Sequence, residues 1–127
     1  MLTPSPAFAS FSVPDINSAE KFYRETLGLT TKKTREGLSL HLAGGTHVFI
    51  YQSPTNKPAD FTVLNFEVTD VEKIVDELIA KGVTMEQYNL PYLKTDAKGI
   101  ARGTEGPKAM AWFKDPAGNI LSVLQAN

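Results

Sequence analysis

Alternating apolar and polar positions mark two short strands in the first and second halves of the chain. Residues 10–16, SFSVPDI, and residues 65–71, NFEVTDV, alternate in this way and then reach an aspartate. Alternation with a period of two predicts a half-buried strand, and aspartate is a preferred N-cap of a helix. Each stretch therefore predicts a strand that leads directly into a helix.

Helical spacing follows both strands. In the second half, apolar residues recur at i, i+3, i+4, i+7 and i+8, namely Val71, Ile74, Val75, Leu78 and Ile79. This spacing predicts one apolar face of an amphipathic helix. The corresponding face in the first half is formed by Ala19, Phe22, Tyr23 and Leu27. Gly28 and Gly82 come next and predict the helix ends, because glycine readily adopts the left-handed C-terminal cap.

The two halves are copies of one unit. At an offset of 55 residues, Phe11 recurs as Phe66 and Asp15 as Asp70, while the predicted hairpins 39–52 and 112–125 match at an offset of 73. Each half thus reads strand, helix, strand and hairpin. We expect one domain over residues 1–127, with repeat one over about 7–53 and repeat two over about 61–126.

The second repeat is longer than the first. Gly28 and Gly82 are 54 residues apart and the hairpins are 73 apart, so repeat two carries 19 more residues, within about 84–109. A long irregular insertion in a small domain is typically functional or mobile. A solvated loop and a functional segment both fit the pattern, and we expect the segment to lie beside the mouth of any binding site.

Composition narrows the classes of protein. The 127 residues are 42% hydrophobic and 21% charged with a formal net charge of −1, which is typical of a globular domain. No basic block is present, so we expect no nucleic-acid partner. The sequence holds no cysteine, which excludes disulfides and thiolate chemistry. No run of 18 apolar residues suggests a membrane span, and we expect a cytoplasmic protein.

Two motifs resemble a known superfamily. FSVPDINSAEKFYRETLGL, residues 11–29, and WFKDPAGNILSVLQ, residues 112–125, resemble the opening and the closing hairpin of the vicinal oxygen chelate superfamily. That group includes glyoxalase I, bleomycin resistance proteins and extradiol dioxygenases. The resemblance implies an α+β fold, in which two tandem βαβββ modules form a cup-shaped mixed sheet with the helices outside. It also implies a homodimer.

Strand alternation assigns residues to two faces. One face, apolar throughout, should pack under the helices: Phe11, Val13, Leu38, Leu40, Leu42, Val48, Ile50, Leu64, Phe66, Val68, Ala111, Phe113, Leu121 and Val123. The other should line the cup: Phe8, Ser10, Ser12, Ser39, His41, His47, Phe49, Tyr51, Val63, Asn65, Glu67, Met110, Trp112, Ile120, Ser122 and Leu124.

The resemblance also locates the metal ligands of metal-dependent members, at the start of the first strand and on the last strand of each repeat. The corresponding residues here are Phe8, Val63, Phe49 (Ile50 if the register slips by one) and Ser122. None has a competent ligand side chain except the weak serine hydroxyl. We therefore expect neither a metal nor another cofactor. A displaced metal site at His41, His47 and Glu67 stays open as an alternative.

The remaining cup residues are typical of a small-molecule pocket, in which a few polar atoms orient a ligand among apolar walls. The expected ligand-binding residues are Phe8, Phe49, Tyr51, Val63, Asn65, Trp112 and Ser122, together with Arg102 from the insertion. Packing of the aromatic residues on one another, or across a dimer interface, is equally consistent with the pattern. The composition favours an uncharged or cationic aromatic ligand over an anion.

Three functions follow. The first is a metal-free small-molecule-binding protein of the glyoxalase/bleomycin-resistance type that sequesters an aromatic or amphipathic compound. The second is a divergent lyase, isomerase or dioxygenase-like enzyme that uses Glu67 and His41, since a carboxylate on an apolar wall can serve as a general base. Pairing of Glu67 with Lys108, Lys114 or Arg102 would oppose that role. The third is an interaction subunit whose cup is filled by its own side chains.

Overall fold

The two predicted repeats form two compact units in the computed structural model, Met1–Lys57 and Pro58–Asn127. The structure describes residues 1–103 and 106–126. Residues 104 and 105 of the expected insertion, and residue 127 at the end of the expected domain, lie outside the described residues. Each unit is a separate βαβββ module.

The first module contains one helix and a four-stranded sheet. Its elements, in chain order, are β1 (Ala9–Val13), α1 (Ile16–Lys21), β2 (Thr30–Lys33), β3 (Leu38–His41) and β4 (His47–Gln52). The strand order in the sheet is β1-β4-β3-β2. Strand β1 runs parallel to β4, and the other neighbouring strands are antiparallel.

The second module repeats this arrangement and adds a hairpin. Its elements are β5 (Thr62–Glu67), α2 (Val71–Ala80), β6 (Asn89–Leu90), β7 (Leu93–Lys94), β8 (Ile100–Arg102), β9 (Ala109–Lys114) and β10 (Ile120–Gln125). The sheet order β5-β10-β9-β8 matches that of the first module, while β6 and β7 pair only with each other. The predicted α+β fold with tandem βαβββ modules is confirmed.

Both helices begin at the predicted aspartates. The carboxylate of Asp15 accepts hydrogen bonds from the backbone N–H groups of Asn17 and Ser18, and that of Asp70 accepts one from Lys73. These bonds satisfy donors that a helix N-terminus leaves without an intrahelical partner. No helix in the described part of the chain is long and apolar enough to cross a membrane.

A glutamine at the end of the last strand completes each cap. The side-chain oxygen of Gln52 accepts the N–H of Ile16 at 3.0 Å, and that of Gln125 accepts the N–H of Val71 at 3.1 Å. The matched glutamines of the two hairpins therefore tie the end of each sheet to the start of its own helix. The repeat extends to individual hydrogen bonds.

The first helix departs from the predicted regular form. After α1, the chain continues as a π-helical segment, Phe22–Thr26, in which the Leu27 N–H bonds the Phe22 carbonyl at 3.0 Å. This wider turn carries Tyr23, which is completely buried. Gly28 lies two residues beyond the segment, with a φ of 71° that suits glycine and is strained for other residues.

Most of the helix-facing set forms the core, and five of its members depart from the prediction. Nine of its 14 members are buried, among them Leu38, Ile50, Phe113 and Leu121, and none is fully exposed. The five members that are only half-buried are Phe11, Leu42, Leu64, Phe66 and Val68. Ile79, predicted for the apolar face of α2, is 45% exposed. Helix α2 packs mainly on β9 and β10, so the edge strand β5 receives less cover.

The segment 84–109, expected to be irregular, contains three short strands. Two of them form the β6–β7 hairpin, and β8 completes the sheet by pairing with β9. Strand β8 is thus the counterpart of β2, displaced along the chain by the added hairpin. Arg102, expected in a loop, lies at the end of this strand.

The DPAGN sequence of the closing hairpin forms a tight turn around a buried carboxylate. Asp115 accepts hydrogen bonds from the backbone N–H groups of Ala117 and Asn119, at 3.0 and 2.9 Å, and from the side-chain amide of Asn119 at 3.0 Å. Gly118 has a φ of 93°, which this turn requires. These bonds make the turn that joins β9 to β10.

Candidate functional site

One face of each sheet carries the helix-facing set described above. We call the opposite face of each sheet the polar face. In the first module the polar face carries Ser10, Ser12, Ser39, His41, His47, Phe49 and Tyr51, and in the second it carries Asn65, Glu67, Met110, Trp112, Ile120, Ser122 and Leu124. The strand registers place these residues beside one another within each sheet. The predicted cup-lining residues other than Phe8 and Val63 therefore share one face within each module.

Phe8 stands just before β1 and stacks on an imidazole. Its ring centroid lies 4.6 Å from that of His47, with the two planes 27° apart. Phe8 is still 60% exposed. One of the four positions that the resemblance assigned to a metal ligand is therefore an aromatic ring in contact with another ring, and His47 is engaged by this stack.

Phe49 and Tyr51 follow each other on the polar face of β4. Phe49 lies opposite Ser10 of β1 and Ser39 of β3. Its ring also covers Gly37, where an added Cβ would come within 2.8 Å of the ring and 2.3 Å of a backbone oxygen. Tyr51 is 42% exposed. The first module thus presents two aromatic side chains on a short polar sheet.

A row of three side chains crosses the polar face of the second module. Asn65 lies opposite Ser122, and Ser122 lies opposite Trp112 on the next strand. The Ser122 hydroxyl is buried and donates a hydrogen bond to the side-chain oxygen of Asn65. Asn65 is exposed and Trp112 is half-buried. The structure brings these three predicted site residues together.

Val63 departs from the predicted alternation. The ladder between β5 and β10 pairs Ile120 with Thr62 and Leu121 with Leu64, so Val63 stands at an irregularity between the two pairs. A residue added in this way bends its strand and is left out of the ladder. Half-buried Val63 is therefore at a bulge near the start of β5 rather than in a regular cup-facing position.

An aromatic residue of the insertion packs on Trp112. The ring centroids of Tyr88 and Trp112 lie 5.5 Å apart with planes at 80°, an edge-to-face pair. Burial raises the pKa of the Tyr88 hydroxyl, and the nearby Glu86 carboxylate raises it further. Tyr88 was not among the predicted site residues. The sequence held one indication of its role, because Tyr88 lies in the insertion that only the second repeat contains.

The charged residues of this face are arranged differently from the prediction. Lys114 is paired with Glu86 at 3.3 Å, not with Glu67. Glu67 is exposed at the end of β5, and no Lys or Arg among residues 1–103 and 106–126 lies within ion-pair distance of it. His41, the second predicted catalytic residue, is exposed on β3 of the other module.

Arg102 is paired with carboxylates, away from the row of Asn65, Ser122 and Trp112. Its guanidinium bonds Asp96 at 2.5 Å and approaches Glu72 of α2 at 3.5 Å, while Lys98 bridges Glu72 and Asp76. Hydrogen bonds from the Ile100 N–H and from Arg102 hold the pKa of Asp96 below its usual value. These ion pairs fasten the end of the insertion to α2.

A groove of about 430 Å³ along α2 is a poor candidate for a ligand site. Five charged residues of this one helix region line it: Asp70, Glu72, Lys73, Asp76 and Glu77. Small-molecule sites are lined mainly by apolar and aromatic side chains, which this groove lacks. The polar faces fit that description better.

Comparison with known proteins identifies the family. The sequence model of the Glyoxalase/Bleomycin resistance protein/Dioxygenase superfamily matches residues 6–123. The chain belongs to this superfamily. The match includes both β1 and most of β10, so it covers both modules.

Solved structures of superfamily proteins share the fold at low sequence identity. The antibiotic binding protein TnmS3 from Streptomyces sp. CB03234 is 24% identical over 96% of this chain and 97% of its own, with a TM-score of 0.61. The fosfomycin resistance protein FosX from Listeria monocytogenes is 13% identical over 100% and 94%, with a TM-score of 0.73. Lactoylglutathione lyase from Agrobacterium tumefaciens is 20% identical over 96% and 94%, with a TM-score of 0.67.

The residues at the expected metal positions of the superfamily do not suit a metal ion. The side chains of Phe8 and Val63 have no atom that can ligate a metal, and neither do those of Phe49 and Ile50, the adjacent choices on β4. The Ser122 hydroxyl is already hydrogen-bonded inside the sheet. The described residues also contain no cluster of three or more His, Asp or Glu side chains that could hold a metal. Metal chemistry at these positions has no ligand set to support it.

Proposed function

We propose that this chain is a metal-free small-molecule-binding protein of the glyoxalase/bleomycin-resistance type. Its ligand would be an aromatic or amphipathic compound held on the polar face of a module. The ligand-binding residues we assign are Phe8, Phe49, Tyr51, Val63, Asn65, Trp112 and Ser122. Sequestration of such a compound requires no reaction, so the proposal needs neither a nucleophile nor a metal.

The observation that carries this proposal is the row formed by Asn65, Ser122 and Trp112. It combines an exposed amide, a buried hydroxyl and a half-buried indole across three adjacent strands. A large aromatic surface beside a few neutral polar atoms is the usual lining of a small-molecule site. The position that would otherwise supply a metal ligand, Ser122, is part of this row.

The structurally similar proteins include both a binding protein and an enzyme. TnmS3 is an antibiotic binding protein and FosX a fosfomycin resistance protein, whereas lactoylglutathione lyase is an enzyme. One fold therefore serves both binding and catalysis, and the site must decide between them. The aromatic and neutral lining of this chain favours binding.

The charges favour an uncharged or cationic aromatic ligand. Glu67 is the acidic residue of the polar face in the second module, and a cation could approach both its carboxylate and an aromatic ring. Arg102, the expected ligand-binding residue that could pair with an anion, is already paired with Asp96 and Glu72. An anionic ligand would have to displace these carboxylates before it could use the guanidinium.

The test is a screen of planar cations, neutral aromatic compounds and anions by thermal shift, followed by calorimetry. We expect neutral or cationic compounds to bind, to change the fluorescence of the chain's one tryptophan, and to bind more weakly to Trp112→Ala. Tyr92→Ala is the matched control, because Tyr92 is 83% exposed in the β6–β7 turn. Binding confined to anions, and abolished by Arg102→Ala, would contradict the proposal.

A divergent enzyme around Glu67 and His41 is the second candidate. It is favoured by the Glu67 carboxylate, which is exposed on the polar face and has no cation within ion-pair distance among the described residues. Such a carboxylate is available to accept a proton from a ligand. Turnover of a compound from the screen, lost in Glu67→Gln with its binding retained, would establish this candidate in place of simple sequestration.

We also propose that the chain is a homodimer, as its family resemblance implies. Sedimentation equilibrium measures the state directly. A monomer at all concentrations up to those of the binding assays would contradict this part of the proposal.

A further inference from the structure

The insertion of the second module places a tyrosine next to Trp112, at one end of the row that Asn65, Ser122 and Trp112 form. The N–H of Glu86 bonds the carbonyl of Trp112 at 2.9 Å, and Met85 forms a bridge with Phe113. The chain at 85–86 therefore continues along β9 beyond the end of β8. Two residues later, Tyr88 reaches the indole of Trp112.

Tyr88 is held in place from both sides of its peptide unit. Its N–H donates to the Thr95 hydroxyl at 2.8 Å, and its carbonyl accepts the Thr95 N–H at 3.0 Å. These bonds close the loop that contains the β6–β7 hairpin. A ring fixed before binding loses little conformational freedom when a ligand arrives, so its contact adds to affinity at low entropic cost.

The opposite end of the row presents a hydrogen-bond donor. The Ser122 hydroxyl donates to the side-chain oxygen of Asn65, and the NH₂ group of the exposed Asn65 has no acceptor among the described residues, so it can donate to a ligand. Neighbouring strands are about 4.8 Å apart, so Asn65 and Trp112, separated by two strand spacings, lie about 10 Å apart along the row. The row thus has an aromatic end and a donor end.

We propose that Tyr88 is a specificity-determining residue, and that the row Asn65–Ser122–Trp112–Tyr88 binds a planar, uncharged aromatic molecule bearing a carbonyl-type acceptor. The ring would lie against Trp112 and Tyr88, and the carbonyl oxygen would accept from the Asn65 amide. This inference rests on the proposed function and narrows its ligand class. The Glu86–Lys114 pair beside the aromatic end is neutral as a unit, which gives a charged ligand no advantage there.

The test compares 2-acetylnaphthalene with 2-ethylnaphthalene, which has the same ring and nearly the same shape but no acceptor. Equilibrium dialysis with the full chain measures both, because naphthalene absorbance reports the bound fraction. A net hydrogen bond adds about 0.5–1.5 kcal/mol. We therefore expect the acetyl compound to bind about 2- to 12-fold more tightly.

Variants separate the two ends of the row. Asn65→Asp keeps an acceptor for Ser122 but removes the outward donor, so it should abolish the preference for the acetyl compound. Tyr88→Ala should weaken both compounds equally, because it removes ring contact only. Tyr92→Ala, from the same insertion, should change neither. Circular dichroism confirms that each variant is folded before binding is compared.

The outcomes distinguish this inference from the proposed function. Equal binding of the two naphthalenes, a preference that survives Asn65→Asp, or no effect of Tyr88→Ala would overturn the inference. Failure of both naphthalenes, with other aromatic compounds of the screen bound at Trp112, would also overturn it while leaving the proposed function standing. Failure of every compound in the screen would contradict the proposed function itself.

Discussion

At the scale of a single residue, Ser122 supports the proposal that the ligand is neutral. It occupies a position where the family resemblance calls for a metal ligand, yet its hydroxyl is completely buried and bonded to Asn65. A buried hydroxyl with a partner is tolerated in a sheet, whereas a buried hydroxyl without one is costly. The pair is therefore a structural unit as well as a candidate binding element.

The hydrogen bond between Ser122 and Asn65 predicts that replacing one partner lowers the free energy of unfolding more than replacing the other. Ser122→Ala should cost about 0.5–1.5 kcal/mol of unfolding free energy, because the exposed Asn65 amide can turn to water. Asn65→Leu should cost about 1–3 kcal/mol, because the Ser122 hydroxyl is left buried without an acceptor. Urea unfolding of the two variants measures the difference. Equal losses would show that water reaches Ser122 in the folded chain.

Tyr88 provides a residue-scale test by titration. Burial, together with the Glu86 carboxylate, raises the pKa of its hydroxyl above the ordinary value of 10.0. The neutral phenol is thus favoured in the folded state, and this contribution to stability is present below about pH 10 and lost as the pH rises through the raised pKa. In an absorbance titration, Tyr88→Phe should remove one tyrosine that ionises above the ordinary pKa of 10.0. Loss of an early phase instead would contradict the burial of this hydroxyl.

Sequence alone predicted these residues unevenly. Ser122, Asn65 and Trp112 follow from strand alternation, because regular strands place every second residue on one face. Alternation failed at Val63, where a bulge adds a residue to β5. Tyr88 could not be assigned to the site, because its position depends on hydrogen bonds to Thr95 and β9 that leave no periodic pattern.

At the scale of elements, helices were the most predictable parts of the chain. Asp15, Asp70, Gly28 and Gly82 mark their ends through local chemistry that acts within a few residues. The short strand β8 was not placed in advance, because three residues are too few to show alternation and its formation depends on pairing with β9. The π-helical segment after α1 was also not predicted. The spacing of apolar residues does not reveal that its hydrogen bonds join residues five apart.

The end of the insertion predicts a pH-dependent effect. The Ile100 N–H and then the Arg102 guanidinium lower the pKa of Asp96 from its ordinary value of 3.8. A lowered pKa contributes stability above the ordinary value and loses it as the pH falls through the lowered pKa. Asp96→Asn should therefore reduce the melting temperature at pH 7, and the difference from the unmodified chain should be smaller at pH 2.

Asp60→Asn is the matched control for this prediction. Asp60 is an exposed aspartate of the same module, close to the start of β5. Its substitution should have little effect on the melting temperature at either pH. An Asp96→Asn effect that is equal at both pH values would show that the carboxylate charge does not fasten the insertion.

At the scale of the whole molecule, duplication explains most of the architecture and the insertion explains its asymmetry. The two sheets have the same strand order, and Gln52 and Gln125 make the same cap in each module. The insertion makes the second module different from the first. It places Tyr88 beside Trp112, and this contact is what a functional role for the insertion would use. The repeat was readable from the sequence because both halves keep the same pattern of apolar positions.

The central claim is that the chain binds an aromatic ligand without a metal. The most direct measurement is calorimetric titration of chelator-treated, dialysed protein with a compound from the screen, before and after addition of Mn²⁺ or Zn²⁺. We predict the same affinity in both conditions, weakened in Trp112→Ala and unchanged in Arg102→Ala. Binding that appears only after a divalent metal is restored would contradict the account.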